Sequence, residues 1–268
     1  MTSITKQDDF KKIALKVVKT IAVTAFWIFI WEAASRLLSR DNELMLLLLP
    51  SPFKVFGTFC EMCRTKEFFV SVFASLYRVF VGFLYGAVGG FLFGVATHLS
   101  KIVDTLFTPV FKVIRAVPVV AIIILLYLFL ESNAVPTVIV VLMVLPVMWQ
   151  TTHDGLQRPD KKLFEMADVF KFGRFKRLYY IGLPSIASQV ASAAVMGLGL
   201  AWKSGIAAEV ICETSGSLGE LLKSGKETMN YDETYAVTLT VIILSIIIEF
   251  FFKGALHLVK NRRAEFHG

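Results

Sequence analysis

The sequence predicts an all-α polytopic membrane protein with six transmembrane helices. Apolar residues make up 56% of the 268 positions and charged residues only 18%, whereas soluble domains have about 45–50% apolar and about 25% charged residues. The apolar residues are clustered in runs of roughly 20, the length of helix that crosses a bilayer. Three cysteines provide no disulfide framework. A soluble enzyme, a disordered chain and a disulfide-rich scaffold are therefore excluded.

Six apolar segments are predicted to cross the membrane. The first follows five lysines but lacks a small-residue cleavage site, so we interpret it as an uncleaved span. The third is broken early by Pro109 and Pro118. Proline is tolerated in spans because neighbouring helices satisfy the carbonyls that it frees. The segments cover about residues 20–38, 68–97, 102–130, 134–152, 185–212 and 234–258.

The distribution of basic residues predicts the topology. Segments on the side of the amino terminus carry 19 Lys and Arg, and those on the other side carry 6. This positive-inside bias places both termini in the cytoplasm, and it accounts for the net charge of +7 without nucleic acid. The predicted divisions are a cytoplasmic segment (1–19), a first helix with an outer amphipathic segment (20–67), a core domain (68–258) with a cytoplasmic loop at 154–184, and a cytoplasmic tail (259–268).

Two spans carry small residues at every fourth position. Such residues let helix backbones approach closely in a membrane, where no hydrophobic effect drives helices together. We interpret both series as packing within one chain, and the alternative is a subunit interface or a moving contact. The series are Gly82, Gly86, Gly90 and Gly94 in the second span, and Ala193, Gly197, Ala201 and Gly205 in the fifth.

Polar residues within spans are costly and are therefore candidates for a translocation pathway. The fifth span contains Lys203, and the alternative is that such a residue only meets a structural partner. Arg78 and Glu131 lie near the outer ends of their spans, where they can extend towards water, and we interpret both as structural. The candidate pathway residues are Trp202, Lys203, Ser204, Glu209 and Glu249.

The long cytoplasmic loop is predicted to dock a partner protein. Its first half has an apolar face of Leu163, Ala167 and Phe170 opposite a charged face that includes Glu165, and Asp160 is a candidate cap. Gly173 is predicted to end this helix, and a second basic helix is expected over Arg174 to Tyr180. Apolar side chains ringed by charges suit a partner's groove. The alternative is a basic loop resting on anionic lipid.

A family resemblance is carried by this loop. It contains the run Leu163-Phe164-Glu165-Met166-Ala167, followed by Gly173-Arg174-Phe175 and Leu183-Pro184. These runs resemble the EAA loop of ABC importer permeases. Further matches, in the same order and topology, resemble the nitrate/sulfonate/taurine-type branch over about residues 48–258. They are Leu49-Pro50-Ser51-Pro52, Ser75-Leu76-Tyr77-Arg78-Val79 with Gly82-Phe83, Arg115-Ala116-Val117-Pro118, Ala201-Trp202 with Ala208-Glu209, and Ser217-Leu218-Gly219.

The resemblance implies a type I ABC importer (MetI-like) permease core in the cytoplasmic (inner) membrane. It implies four kinds of partner: a second permease copy in a homodimer, two ATPase subunits, an extracytoplasmic solute-binding protein and the lipid bilayer. The cargo would be a nitrate-, sulfonate- or taurine-like anion, or a small heteroaromatic vitamin precursor. In the family's loop the usual glycine falls at Lys171 of this chain. The residues implied in ATPase coupling are Leu163, Glu165, Ala167, Phe170, Gly173, Arg174 and Pro184.

The chain is not expected to be an enzyme or to hold a cofactor or metal. The stretch from Gly219 to Gly225-Lys226 is one residue too long for a phosphate-binding loop, and Glu227 replaces the required Ser or Thr. ATP and Mg²⁺ are therefore expected in a partner chain. The alternative function is an ion-coupled secondary transporter that uses Lys203, Glu209 and Glu249.

Overall fold

A computed structural model describes residues 3–39, 48–158 and 161–265 of the chain, and these residues form helices and connecting turns without any strand. One π-helical turn, Leu178–Gly182, lies between the helices Arg174–Arg177 and Leu183–Ile211. The helices are α1 (Ser3–Ser39), α2 (Pro52–Met62), α3 (Lys66–Leu99), α4 (Lys101–Ala116), α5 (Val119–Tyr127), α6 (Val135–Gln157), α7 (Lys161–Val169), α8 (Arg174–Arg177), α9 (Leu183–Ile211), α10 (Leu218–Glu227) and α11 (Tyr231–Glu265).

Five of the six predicted spans are confirmed as continuous helices that are long and apolar enough to cross a membrane. The third is instead a pair of helices, α4 and α5, that meet at 102°. Pro109 lies within α4 without breaking it, so the prediction of a break there is wrong. The break falls at Val117, which is extended because the following Pro118 disfavours a helical conformation. With 9 residues α5 is about 14 Å long, against about 30 Å of hydrocarbon.

The chain separates into two compact units. The first comprises residues 1–64 and 224–238. Within it, the Trp31 indole donates to the Pro50 carbonyl at 3.1 Å, and the Ser35 hydroxyl donates to the Leu49 carbonyl at 2.8 Å. Ser51 caps α2 by accepting from the Lys54 amide. Leu49 and Pro50, which directly precede α2, are therefore hydrogen-bonded to α1.

The second unit, residues 65–223 and 239–268, has α3, α6 and α9 at its centre. Four glycines of α3 face α6, and their contacts advance along both helices in the same direction, so the two helices run parallel. A Cβ on Gly82 would lie 2.8 Å from Val140, and one on Gly94 would lie 2.5 Å from Thr152. In α9 the order is reversed, because Gly205 faces Val140 and the more amino-terminal Gly197 faces Val144. The small-residue series of both spans thus pack within the chain, as predicted.

The short helix α5 packs onto this centre where α6 begins and α9 ends. Ile123 of α5 is fully buried against Val135 and Ile139 of α6 and Ala208 of α9. The bent pair therefore remains attached to the core through its apolar second half.

We expect Gly90→Ala to loosen the contact between α3 and α6. A Cβ at position 90 would lie 2.4 Å from the Leu145 carbonyl oxygen, which belongs to the backbone and cannot rotate away. Overpacking of this kind costs about 1–3 kcal/mol, so the melting temperature in detergent should fall by several degrees. Gly89→Ala is the matched control because its Cβ would meet only Leu145 Cδ1 at 3.5 Å. Equal melting temperatures for the two variants would contradict the packing.

Candidate functional site

A buried carboxylate joins three distant parts of the core. Glu209, near the end of α9, has no exposed surface. Its Oε2 accepts from the Ser75 hydroxyl at 2.7 Å and from the Gly219 amide at 3.3 Å. The Ser75 oxygen in turn accepts from the Leu218 amide at 2.9 Å. We call Ser75, Arg78, Glu209, Leu218 and Gly219 the Glu209 cluster.

Arg78 supplies the opposite charge. Its Nη1 lies 3.5 Å from Glu209 Oε1, and neither atom has a hydrogen-bond partner in the described part of the chain. Its Nη2 donates to the Ser215 carbonyl at 3.1 Å and to Asn133 Oδ1 at 3.4 Å. Arg78 therefore has structural partners, as predicted, and its guanidinium is turned towards Glu209 instead of extending fully into water. If the guanidinium left this position, the buried carboxylate would have no opposite charge beside it. An unpaired charge is costly in a medium of low dielectric constant.

The start of α10 is aimed at this carboxylate. Ser217 caps the helix by accepting from the Glu220 amide at 3.0 Å, and the two amides that follow the cap belong to the Glu209 cluster. The positive end of a helix favours a neighbouring negative charge. A Cβ on Gly219 would lie 2.3 Å from Glu209 Cβ, so only glycine permits this approach. The loop before α10 is thus fixed to α3 and α9.

The five candidate pathway residues do not form one site. Trp202 and Ser204 are buried within the core: the indole donates to the Val241 carbonyl at 3.1 Å, and the hydroxyl donates to the Leu200 carbonyl at 2.9 Å. Glu209 belongs to the cluster above. Only Lys203 and Glu249 face outward, and the structure therefore separates Glu209 from both of them.

Glu249 Oε1 is 2.5 Å from Lys253 Nζ on the same helix, and Lys203 of α9 is exposed like both of them. We call these three residues the charged patch. It lies on α9 and α11, the helices that also line an apolar groove of about 290 Å³. The groove is lined by Leu76, Val79, Phe80, Leu198, Trp202, Ile247, Ile248, Phe251 and Phe252.

The predicted coupling loop presents apolar side chains to its surroundings. Of the predicted apolar face of α7 only Ala167 is buried, and Leu163 and Phe170 are exposed together with Glu165. Val169 is 80% exposed. Exposed apolar groups in a polar loop indicate an interaction surface. The candidate cap Asp160 lies outside the described residues.

Lys171, not Gly173, ends the first helix of the loop. The Phe172 amide donates to the Ala167 carbonyl at 2.9 Å, and the Lys171 amide donates to the Asp168 carbonyl at 3.0 Å. These two bonds form a Schellman motif, whose left-handed position usually holds glycine. Lys171 occupies it with φ 51°, at the position of the family's glycine. Gly173 has φ −68° and is the N-cap residue of α8, so the prediction that Gly173 ends the first helix is wrong.

The second half of the loop continues directly into α9. The predicted helix Arg174 to Tyr180 consists of the single turn α8 and part of the π turn. Pro184 lies in the first turn of α9, and its missing amide and bulky ring explain the wider turn before it. Arg177 pairs with Asp168 and donates from Nε to the Phe172 carbonyl at 2.9 Å. The two halves of the loop are therefore joined.

A buried histidine at the end of α6 was not singled out from the sequence. His153 Nδ1 lies 2.9 Å from the Thr97 hydroxyl, which also accepts from the Trp149 indole at 3.1 Å. Its Nε2 lies 2.7 Å from Gln157 Nε2 and 3.7 Å from Asp104 Oδ1. Trp149, His153 and Gln157 are spaced four residues apart, which places them on one helix face. This spacing gives no sign that Thr97 of α3 is the hydrogen-bond partner of His153 and Trp149. No metal-binding group of three ligands occurs within the described ranges.

Long apolar helices around a tightly packed centre define the class of the chain as a polytopic membrane protein, and the loop adds exposed apolar side chains. The family described as "Binding-protein-dependent transport system inner membrane component" matches residues 86–265, and the chain belongs to it. It is a non-catalytic permease subunit of an ABC importer, as the EAA-loop resemblance predicts.

Named relatives confirm the predicted branch. The chain is 26% identical over 231 residues to an aliphatic sulfonates transport permease, SsuC, of Bacillus subtilis, covering 85% of this chain and 80% of that protein. It is 27% identical to the nitrate import permease NrtB of a Synechocystis strain, covering 73% and 72%. It is 23% identical to the taurine transport permease TauC of Escherichia coli, covering 94% and 91%.

Solved structures confirm the predicted fold. An importer of the acidic polysaccharide alginate matches with a TM-score of 0.63 at 16% identity, covering 94% of this chain and 98% of that chain. The MetNI methionine transporter matches with a TM-score of 0.60 at 16% identity, covering 70% and 94%. The family assignment does not favour the ion-coupled alternative.

We expect Arg78 and Glu209 to be energetically coupled. Arg78→Ala or Glu209→Ala alone leaves an unpaired charge, so each should cost about 3 kcal/mol of stability. The double variant removes both charges and should cost about 1–3 kcal/mol less than the sum. The measurement is a double-mutant cycle: the free energy of unfolding in detergent is compared for the unmodified protein, the two single variants and the double variant. Strictly additive losses would contradict the ion pair.

We expect Lys171→Gly to stabilise the loop. A left-handed non-glycine residue costs about 1 kcal/mol, which glycine relieves. Exchange of the Phe172 amide should therefore slow about fivefold. Gly173→Ala is the control, because a Cβ there has no atom within 4 Å and its φ suits any residue. Slower exchange in the Gly173 variant alone would contradict our assignment of the cap.

Proposed function

We propose that the chain forms half of the pathway of an ABC importer for a small anion and is driven through its 154–184 loop by a separate ATPase. The observation that carries this proposal is the exposed apolar surface of α7, supported on a loop whose two halves are joined by Arg177. A rigid loop transmits a displacement, whereas a flexible one absorbs it.

The proposed topology follows the basic residues. With the amino terminus in the cytoplasm, the loop and both termini face the compartment that holds ATP. The segment before α10 then lies on the opposite side, where a solute-binding protein would deliver the cargo. The Glu209 cluster holds that segment against the core.

The charged patch supports a pathway at the interface of two identical permease subunits. Lys203, Glu249 and Lys253 lie outside the monomer's core within apolar spans. A charge at the centre of a bilayer costs about 2.5–3.5 kcal/mol on insertion scales, and more in simulations. A second copy or a water-filled pathway would remove that cost. Two lysines against one glutamate in each copy favour an anion, in keeping with the sulfonate, nitrate and taurine permeases among the relatives.

The energy source lies outside this chain. Two ATPase subunits would bind ATP and Mg²⁺, and their closure would draw the two loops together and open the pathway outward. The conformational equilibrium shifts because nucleotide binds the two states with different affinities. Hydrolysis would then restore the inward-facing state.

We expect Val169→Asp to release the ATPase. A carboxylate at this exposed apolar position opposes burial in a partner's groove, so co-purification of a co-expressed cognate ATPase should fall at least about tenfold. Phe53→Asp is the control, because Phe53 is also exposed but lies on α2, on the opposite side in the proposed topology. The membrane-inserted amount of both variants should match the unmodified protein.

Retention of the ATPase by the Val169 variant would contradict docking through α7. Uptake by reconstituted permease that continues without ATP and collapses with an ion gradient would contradict the importer itself.

A further inference from the structure

A second cavity lies where the α3–α4 corner meets the loop. It has a volume of about 640 Å³, and among the residues that the structure describes neither Asp nor Glu lines it. Its lining includes the ring of His98 and the cations of Lys101, Arg174 and Arg177, together with apolar side chains such as Ile102 and Leu178. This combination suits a ligand with an anionic group next to a hydrocarbon chain.

Two of these cations are available for a ligand. Arg177 is already occupied by Asp168 and the Phe172 carbonyl. Lys101 and Arg174 are exposed and make no ion pair with any residue that the structure describes. A phosphate oxygen is the natural partner for such cations, because it is small, charged and accepts several hydrogen bonds.

The helix that begins at this cavity resembles one that lies in a membrane interface. Four apolar residues of α4 are exposed on one face, at successive helical turns: Ile102, Leu106, Val110 and Val113. The helix stands at 102° to α5, which is anchored in the core. An amphipathic helix with this orientation rests its apolar face on the acyl chains and holds its cations at headgroup level.

We propose that this cavity binds the phosphate-bearing headgroup of an acidic phospholipid, with an acyl chain along the cavity's apolar side chains. The proposal rests on the proposed topology, which places the cavity at the cytoplasmic leaflet, where basic pockets between spans bind acidic headgroups. The bound phosphate bridges Lys101 of α4 and Arg174 of the coupling loop. Acidic lipid would thereby hold the loop at a fixed height against the α3–α4 corner.

The test measures lipid retention by the full chain, without any ATPase, in native mass spectrometry. Mixed micelles supply phosphatidylglycerol or phosphatidylcholine in equal amounts. We expect preferential retention of phosphatidylglycerol, and retention about fivefold weaker in each of Lys101→Ala and Arg174→Ala. Lys176→Ala is the matched control, because Lys176 is an exposed cation of the same loop that does not line the cavity.

Equal retention of both lipids, or equal loss in the Lys176 variant, would overturn the proposal. So would displacement of the phosphatidylglycerol preference by millimolar glycerol phosphate, which would identify a soluble anion as the ligand. The same variants are also co-purified with a co-expressed cognate ATPase in a separate experiment. Variants that lose this ATPase but keep their lipid would assign these cations to the ATPase interface, which overturns lipid binding and leaves the proposed function intact.

Discussion

A carboxylate that is fully removed from solvent must be matched by charge and by donors, and the arrangement around Glu209 follows from that requirement. Its partners come from two segments far apart in the sequence: α3, which carries Ser75 and Arg78, and the start of α10, which supplies its first amides. Neither segment can move independently without leaving a buried polar group unsatisfied. The Glu209 cluster therefore fixes the segment before α10 to the same helices that carry the central packing.

The other end of the core is organised differently. There the loop is held by a helix cap and by Arg177, and its apolar side chains remain exposed. One end of α9 is thus closed by the buried Glu209 cluster, and the other end continues without interruption into a surface suited to a partner. Because α9 is continuous with α8 through the π turn, displacement of the loop acts directly on the helix that carries Lys203.

Much of this fold could be predicted because its signals are local. The glycine series of α3 indicates one helix face from residue spacing alone, and the spans are predicted from the length and apolarity of continuous segments. Long-range contacts have no such signal. Arg78 near a helix end is compatible with extension towards water, and only the fold shows that Glu209 lies beside it. The 102° bend at Pro118 and the left-handed Lys171 likewise depend on how neighbouring elements pack.

Hydrogen exchange at the start of α10 tests the central claim most directly. The Leu218 and Gly219 amides donate to Ser75 and Glu209, whereas the nearby Gly216 amide donates to Glu220 at 2.6 Å. We predict slow exchange at Leu218 and Gly219 in the unmodified protein. In Ser75→Ala, exchange there should accelerate about tenfold while Gly216 stays unchanged. Rapid exchange at both amides in the unmodified protein, or no response to the substitution, would contradict the account.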